Sequence, residues 1–176
     1  MAAPEGYTIR DARVIDAEAI ARVHVGSWSE TYRGLMSERS LKARSVADRI
    51  PIWETALSQL TPAHVFLVVE DARGEVVGFA YGGPAREPVH RRSGELYALY
   101  LMKKCQGRGV GRALFARFRE KMSASGLKDF YAMVVQGIPS RGYFLKMGGR
   151  ACGVAKGPMQ GRRGGRPLRE ERFEWV

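Results

Sequence analysis

Short apolar runs alternate with segments of helical periodicity along this chain of 176 residues. Apolar runs bounded by turn residues predict strands at seven places: 7–9, 65–69, 76–81, 96–102, 129–135, 150–155 and 168–176. Apolar spacing and capping residues predict four helices: 17–31, about 45–60, 110–122, and a short one from Pro139 to Gly148. Residues 82–94 and 157–165 are rich in glycine, proline and arginine; the first segment is predicted to be a loop, and the second a loop or a hairpin arm.

The predicted element order is β-α-α-β-β-β-α-β-α-β-β, which indicates an α/β (α+β) fold. A mixed, twisted sheet of about seven strands with helices on both faces is its natural packing. The chain has no internal repeat or linker, so we expect one domain over residues 1–176. No apolar run approaches the ~20 residues of a membrane helix, and residues 1–7 lack a signal-peptide pattern. We therefore expect a cytoplasmic protein.

The most informative junction is a strand, a glycine loop and a helix. Gln106 to Gly111 (QGRGVG) separate the apolar run 96–102 from the helical stretch 110–122. Such a loop directs several backbone N–H groups toward one point at the positive end of the helix, which suits a phosphate group. A Walker A spacing is absent, and Arg112 stands where a dinucleotide-binding fingerprint needs glycine or alanine. The loop therefore predicts a phosphorylated ligand of another kind.

Positive charge is concentrated around this loop. The net charge is +11, yet residues 1–95 carry 12 basic and 13 acidic side chains, whereas residues 96–166 carry 15 basic and two acidic ones. An anionic cofactor would be attracted to this half, and so would a nucleic acid. Motifs that interleave basic and aromatic residues are absent, so we expect no specific nucleic-acid partner.

The two cysteines have neither metal-binding nor redox spacing. Cys105 lies beside the glycine loop and Cys152 lies 47 positions later. No histidine stands at a spacing that would activate the Cys105 thiol. We expect no metal site, and both cysteines as free thiols.

Four segments together carry a family resemblance that covers nearly the whole chain. The pattern Gln106-x-x-Gly109-x-Gly111 resembles the coenzyme A loop of the GNAT N-acetyltransferase superfamily. Three further segments resemble the first helix, the fourth strand and the last helix of small enzymes of that family, in the right order: WSETYRG at 28–34, GELYALYL at 94–101 and YFLKMGG at 143–149.

The resemblance implies how acetyl-CoA would be held. In that family the fourth and fifth strands splay apart, and the pantetheine arm lies in the gap between them. The implied binding residues are the backbone of the fourth strand and the whole loop: Leu99, Tyr100, Leu101, Gln106, Gly107, Arg108, Gly109, Val110, Gly111 and Arg112. Arg108, Arg112, Lys103 and Lys104 are candidates for the 3′-phosphate.

The implied reaction is direct transfer of an acetyl group to an amine, which must first lose a proton. Glu95 matches the position of a glutamate base in many members, and we expect partial desolvation beside Tyr97 to raise its pKa. The family often places a tyrosine acid where this chain has Phe144. The nearest hydroxyl belongs to Tyr143, one residue earlier, so we expect Tyr143 to be a poor general acid.

The acceptor side is less well defined by the sequence. His24, Trp28 and Tyr32 are spaced i, i+4 and i+8 on one helix face, which suits an aromatic wall. We assign Trp28, Tyr32 and Glu30 to the acceptor site, with Glu30 a second candidate for the base. A small amine, an antibiotic, a protein N-terminus and a lysine all remain open as acceptors.

Two alternatives and the oligomeric state stay open. A protein of this fold that binds acetyl-CoA as a sensor or regulatory subunit, without turnover, is favoured by Phe144 and opposed by Glu95. An RNA-associated basic protein is supported by charge alone. A homodimer remains open.

Overall fold

The fold is described from a computed structural model that covers residues 2–87, 93–160 and 167–176. Seven strands are present: β1 Tyr7–Asp11, β2 Val65–Asp71, β3 Val76–Pro84, β4 Gly94–Leu101, β5 Phe130–Val135, β6 Arg150–Gln160 and β7 Pro167–Trp175. Five α-helices pack around them: α1 Ala17–Tyr32, α2 Glu38–Lys42, α3 Val46–Ser58, α4 Val110–Ala124 and α5 Ser140–Lys146.

The strands form one mixed sheet in the order β1-β2-β3-β4-β5-β7-β6. Neighbours run antiparallel except β4 and β5, whose pairing is parallel because α4 carries the chain back across the sheet. The predicted fold class, the seven strands and the splayed central pair are confirmed.

Local sequence accounts for the helix boundaries. The Ser45 hydroxyl accepts a hydrogen bond from the backbone N–H of Asp48 at 3.1 Å, which satisfies one free donor of the first turn of α3. Gly109 precedes α4 with a φ of +81°, a conformation that favours glycine. Helix α2 was not predicted; Ser37 caps it by accepting from the N–H of Ser40.

The predicted loop over 82–94 is wrong at its edges. Strand β3 continues to Pro84 and β4 begins at Gly94, so only part of 82–94 is a loop. Strand β6 continues through Gly157 to Gln160, where it pairs with β7, which agrees with the hairpin arm rather than the loop at 157–160. Of the residues in the two predicted segments, 88–92 and 161–165 lie outside the described residues.

Two apolar clusters hold the sheet between its helices. One packs α1 and α3 on β2 and β3 through residues such as Ile20, Trp53 and Phe79. The other packs α4 on the opposite face through Leu114, Phe115 and Phe118 and also contains Trp28 and Tyr32 of α1. The aromatic end of α1 therefore belongs to the same cluster as the helix on the far side of the sheet. Among the described residues, no helix is long and apolar enough to cross a membrane.

Replacement of two glycines by alanine should change stability in opposite directions. A Cβ at Gly26, within α1, would meet no atom within 4 Å, so Gly26→Ala should gain about 0.5–1 kcal/mol from helix propensity. A Cβ at Gly82 of β3 would lie 2.5 Å from the Glu95 carbonyl oxygen and 2.6 Å from Phe118. Gly82→Ala should therefore cost about 1–3 kcal/mol through overpacking.

Thermal unfolding of the two variants and the parent protein tests the direction of both stability changes. We expect the melting temperature to rise roughly 1–4 °C for Gly26→Ala and to fall for Gly82→Ala. A destabilised Gly26→Ala variant would contradict the packing of α1, and a neutral Gly82→Ala variant would contradict the close approach of β3, β4 and α4.

Candidate active site

A gap opens in the centre of the sheet between β4 and β5. The two strands pair only at Gly94 with Phe130 and at Glu95 with Tyr131, whereas β4 pairs with β3 along its whole length. Beyond Glu95, β4 therefore has one bonded edge and one open edge. The apex of this gap is Glu95, and its wide end leads to the glycine loop.

Register identifies which backbone groups face the gap. The N–H of Met102 donates to the Val77 carbonyl at 2.9 Å, and hydrogen-bonded and non-hydrogen-bonded pairs alternate in an antiparallel ladder. Tyr100 therefore bonds to β3, while the N–H and C=O groups of Leu99 and Leu101 point into the gap. The Leu101 carbonyl accepts from the side-chain amide of Gln106 at 2.9 Å, which ties the loop to the strand end.

The glycine loop has the geometry that close backbone approach requires. Gly107 and Gly109 have φ values of +73° and +81°, which only glycine adopts without strain. Gly107, Arg108 and Gly109 are exposed, so the start of α4 is open to solvent. Gly111 differs, because a Cβ there would lie 3.2 Å from the Tyr143 ring and 3.7 Å from Leu101. Its lack of a side chain thus also serves packing.

The basic side chains around the loop are exposed. Lys103, Arg108 and Arg112 lie on the surface, and Lys104 is 3.9 Å from Glu75 and 4.0 Å from Asp71. The four residues predicted for the 3′-phosphate therefore surround the loop without being buried. Their charge is available to an anion, although long exposed side chains bind more weakly than backbone.

The N-terminal segment reaches the same loop. Pro4 lies 3.6 Å from the position of a Cβ on Gly109, and the Tyr7 hydroxyl interacts with Cys105 and Arg108. Cys105 and Cys152 are both free, as predicted. Cys105 is buried at the turn between β4 and α4, where its place is one of packing.

Glu95 is 3% exposed and its carboxylate is held by four donors. The backbone N–H and Nε of Arg86 each donate to Oε2 at 3.1 Å, Nη2 of Arg86 donates to Oε1, and the Tyr131 hydroxyl donates to Oε2 at 2.9 Å. The Arg86 guanidinium also lies 4.5 Å above the Tyr97 ring. Arg86 and Tyr131 were not identified from the sequence, which contains no signal that links residue 86 to residue 95.

This arrangement overturns the expected pKa shift of Glu95. Burial acts to raise the pKa of this carboxyl, as predicted, but the hydrogen bonds and charge of Arg86 outweigh it and the net shift is downward. Glu95 is therefore an anion at neutral pH, and the pairing with Arg86 offsets the cost of burying its charge.

The two aromatic residues of α5 have different surroundings. The Tyr143 hydroxyl donates to the Gly111 carbonyl at 2.8 Å, and burial raises its pKa well above the ordinary value. Phe144 is buried against Phe115, Phe173 and Trp175. The Tyr143 hydroxyl therefore points toward the first turn of α4. Phe144, at the position where the family often has a tyrosine, points into the core instead.

His24, Trp28 and Tyr32 lie on one face of α1, as their spacing predicted, and this face packs toward β4. Trp28 and Tyr32 are buried with ring centroids 4.2 Å apart, and His24 lies 5.0 Å from the Tyr100 ring of β4. The Arg44 guanidinium stacks 3.8 Å from the Trp28 ring. Glu30, in contrast, is exposed on α1 and is not brought to this wall. The acceptor role of these residues stays a prediction.

A further carboxylate was missed by sequence reasoning. Glu170 of β7 is half-buried, and its charge reaches Tyr32, whose pKa is raised first by burial and then by Tyr100 and Glu170. Burial also raises the pKa of Glu170. Its neighbours in sequence, Glu171 and Glu174, pair with arginines, so nothing in the pattern distinguished it. In the described part of the chain, no acidic, histidine or cysteine cluster forms a metal site.

Comparison with known proteins agrees with this architecture. Residues 28–149 match the model of the acetyltransferase (GNAT) family. YuaI of Bacillus subtilis (strain 168), described as an uncharacterized N-acetyltransferase, is 35% identical over 133 residues, which are 76% of this chain and 74% of that protein.

Solved structures show the same fold at low identity. PaiA N-acetyltransferase from Thermoplasma acidophilum, solved with coenzyme A, is 20% identical with a TM-score of 0.64, over 93% of this chain and 97% of that chain. Ribosomal-protein-alanine N-acetyltransferase from Brucella melitensis is 24% identical with a TM-score of 0.70, over 96% and 99%. With the family model matched across the gap, the loop and the last helix, the chain belongs to the acetyltransferase (GNAT) family.

Proposed function

We propose that this protein is an acetyl-CoA-dependent N-acetyltransferase that transfers the acetyl group directly to a primary amine of a small molecule or peptide. The observation that carries the proposal is the open edge of β4, which runs from Glu95 to the glycine loop. Coenzyme A is bound to the related Thermoplasma structure. The unpaired thiols Cys105 and Cys152 suit a reducing cytoplasm, and we place the activity there.

The chain's own groups fit an elongated anionic donor. The N–H and C=O groups of Leu99 and the N–H of Leu101 offer an extended chain the pattern of an added strand. The N-terminal end of α4, with the exposed Gly107 and Gly109 before it, offers N–H groups to a diphosphate. When bound there, acetyl-CoA supplies an activated acetyl thioester.

Proton removal is the step that the protein must assist. An amine reaches the site as an ammonium ion and attacks only after deprotonation. Glu95 lies at the apex of the gap and is ionised, so it remains our proposed base. Because its oxygens already accept from Arg86 and Tyr131, we propose that it acts through a water molecule.

Glu170 competes with Glu95 for this role. Its charge reaches Tyr32, as does that of Arg44, and burial raises its pKa, which brings it closer to neutral pH, where a base is most effective. The leaving thiolate needs little help, so we propose that water protonates it and that Tyr143, held by the Gly111 carbonyl, does not.

Replacement of Gly109 tests the loop. We expect Gly109→Val to weaken acetyl-CoA binding about 10–100-fold, the loss of one or two charge-assisted hydrogen bonds, because valine resists a φ of +81° and blocks close approach. Gly126→Val is the matched control, since Gly126 follows the other end of α4 with a φ of +84° and open space around its Cβ. Calorimetric titration of both folded variants decides; equal affinities would remove the loop from the site.

Replacement of Glu95 tests the base. Glutamine keeps the shape of the side chain but takes no proton, so Glu95→Gln should lower kcat by about 10²–10⁴-fold while acetyl-CoA still binds. Steady-state assays that detect the free thiol, run against a panel of amines, measure it. A small effect here, with a large one in Glu170→Gln, would transfer the role to Glu170. An absence of turnover on every amine in the parent protein would contradict the proposed function.

The pH dependence of the rate separates the two carboxylates independently. Glu95 works as an anion, so the rate falls as the pH drops through its pKa, which Arg86 holds low. Arg86→Gln removes the guanidinium hydrogen bonds and charge that oppose burial most strongly, so the pKa rises although Tyr131 and the backbone N–H of residue 86 still donate. The acid limb of the kcat profile should therefore move to higher pH in Arg86→Gln. An unmoved limb in an active, folded variant would show that the limb reports another group.

A further inference from the structure

Arg44 and Arg49 form a pair of half-buried cations beside the aromatic wall. Arg44 stacks on Trp28, and its pKa is lowered by burial and then by the nearby charge of Arg49. Both arginines also act on His24, whose pKa burial and these two charges lower to about 4. His24 is therefore neutral at pH 7 and adds no third positive charge to the pair.

Neither arginine has a counter-ion in the described part of the chain, where no carboxylate lies within ion-pair distance of either one. Three buried carboxylates, in contrast, each have an arginine partner: Glu95 pairs with Arg86, Glu171 with Arg141, and Glu174 with Arg172. Two like charges taken partly out of water without an anion are unfavourable. A ligand anion would remove that cost.

Buried donors without partners cluster at the same place. The indole N–H groups of Trp28 and Trp53 are buried and unbonded, and so is Nε of Arg49. The two tryptophan side chains are 5% and 6% exposed, and each ring contacts His24. Indole and guanidinium nitrogens only donate, so they can be satisfied only by an acceptor such as a carboxylate. Buried polar groups of native proteins are usually satisfied, so this set indicates a ligand.

We propose that the amine acceptor is an amino-carboxylate, whose carboxylate is bound by Arg44 and Arg49 while its amine is acetylated. This inference rests on the proposed function and names its substrate class. A planar guanidinium binds a carboxylate through two parallel hydrogen bonds, and the unbonded indole N–H groups beside it offer further donors.

The test compares free acids with their uncharged amides. Acceptors are the natural amino acids and straight-chain ω-amino acids, each assayed beside its carboxamide with acetyl-CoA. We expect kcat/KM to favour the acid by about 10–100-fold, the range for hydrogen bonds to charged groups. Arg44→Gln and Arg49→Gln should each reduce that preference at least about tenfold, and Arg44→Lys should restore part of it. Arg39→Gln, on the exposed surface of α2, is the control and should leave it unchanged.

A structural role for Arg44 would have a different signature. Lost stacking on Trp28 would lower stability and slow acid and amide equally, which leaves their ratio constant. The inference is overturned if Arg44→Gln and Arg49→Gln leave the ratio of kcat/KM for acid and amide unchanged, or if the parent protein prefers amides. Turnover in either case still supports the proposed function.

Calorimetric titration with the same acids and amides gives a readout that needs no turnover. The inference is supported if an acid binds saturably, its amide does not, and Arg44→Gln abolishes the binding. If no amine is acetylated in that case, only the proposed function fails. Equal binding of acid and amide, or binding of neither, contradicts the inference whether or not the enzyme turns over.

Discussion

Backbone hydrogen bonding between β4 and β5 is the constraint on which the site depends. A buried strand normally has partners on both edges, yet β4 and β5 pair at only two positions before they diverge. Past these two positions β4 stays paired with β3 and β5 stays paired with β7, so each keeps one bonded edge while the edges that face each other diverge. The open edge of β4 is therefore a permanent feature of the topology, and it joins the glycine loop to Glu95.

Charge is handled in two ways around this gap. Glu95 is fully buried and bonded to Arg86, so its charge is compensated within the chain. Arg44 and Arg49 are half-buried and depend on something outside the described chain for compensation. The first arrangement stabilises an anion at neutral pH; the second makes the free site electrostatically unfavourable, which a bound anion relieves. Pre-organised, uncompensated charge is a common basis of ligand recognition.

Patterns local in sequence predicted most of the fold. The strand–loop–helix around Gly109 and the cap at Ser45 are local signals, and both are confirmed. Helix α2 was missed because five residues are too few for periodicity to show. Strand β6 was shortened in the prediction because Gly157 and Pro158 resemble turn residues, whereas pairing with β7 sustains the strand.

The candidate site was predicted less completely because the residues that contact one another there are distant in sequence. The family resemblance placed Glu95 at the start of the fourth strand, but the direction of its pKa shift depends on Arg86 and Tyr131, which tertiary contacts supply. Arg44 lies in a surface-like sequence with no motif, and only its stacking on Trp28 marks it. Glu170 and Glu171 point to opposite faces of the sheet because side chains alternate along β7. The sequence does not show which of the two faces the site until the faces of the sheet are known.

Amide hydrogen exchange of β4 tests the central claim most directly. Leu99 and Leu101 point their N–H groups into the gap, whereas Ala98 and Tyr100 bond to β3. With saturating acetyl-CoA, we expect exchange at Leu99 and Leu101 to slow at least about tenfold while Ala98 and Tyr100 change little. Equal protection of all four amides, or none at Leu99 and Leu101 when acetyl-CoA is bound, would show that the donor does not occupy this gap.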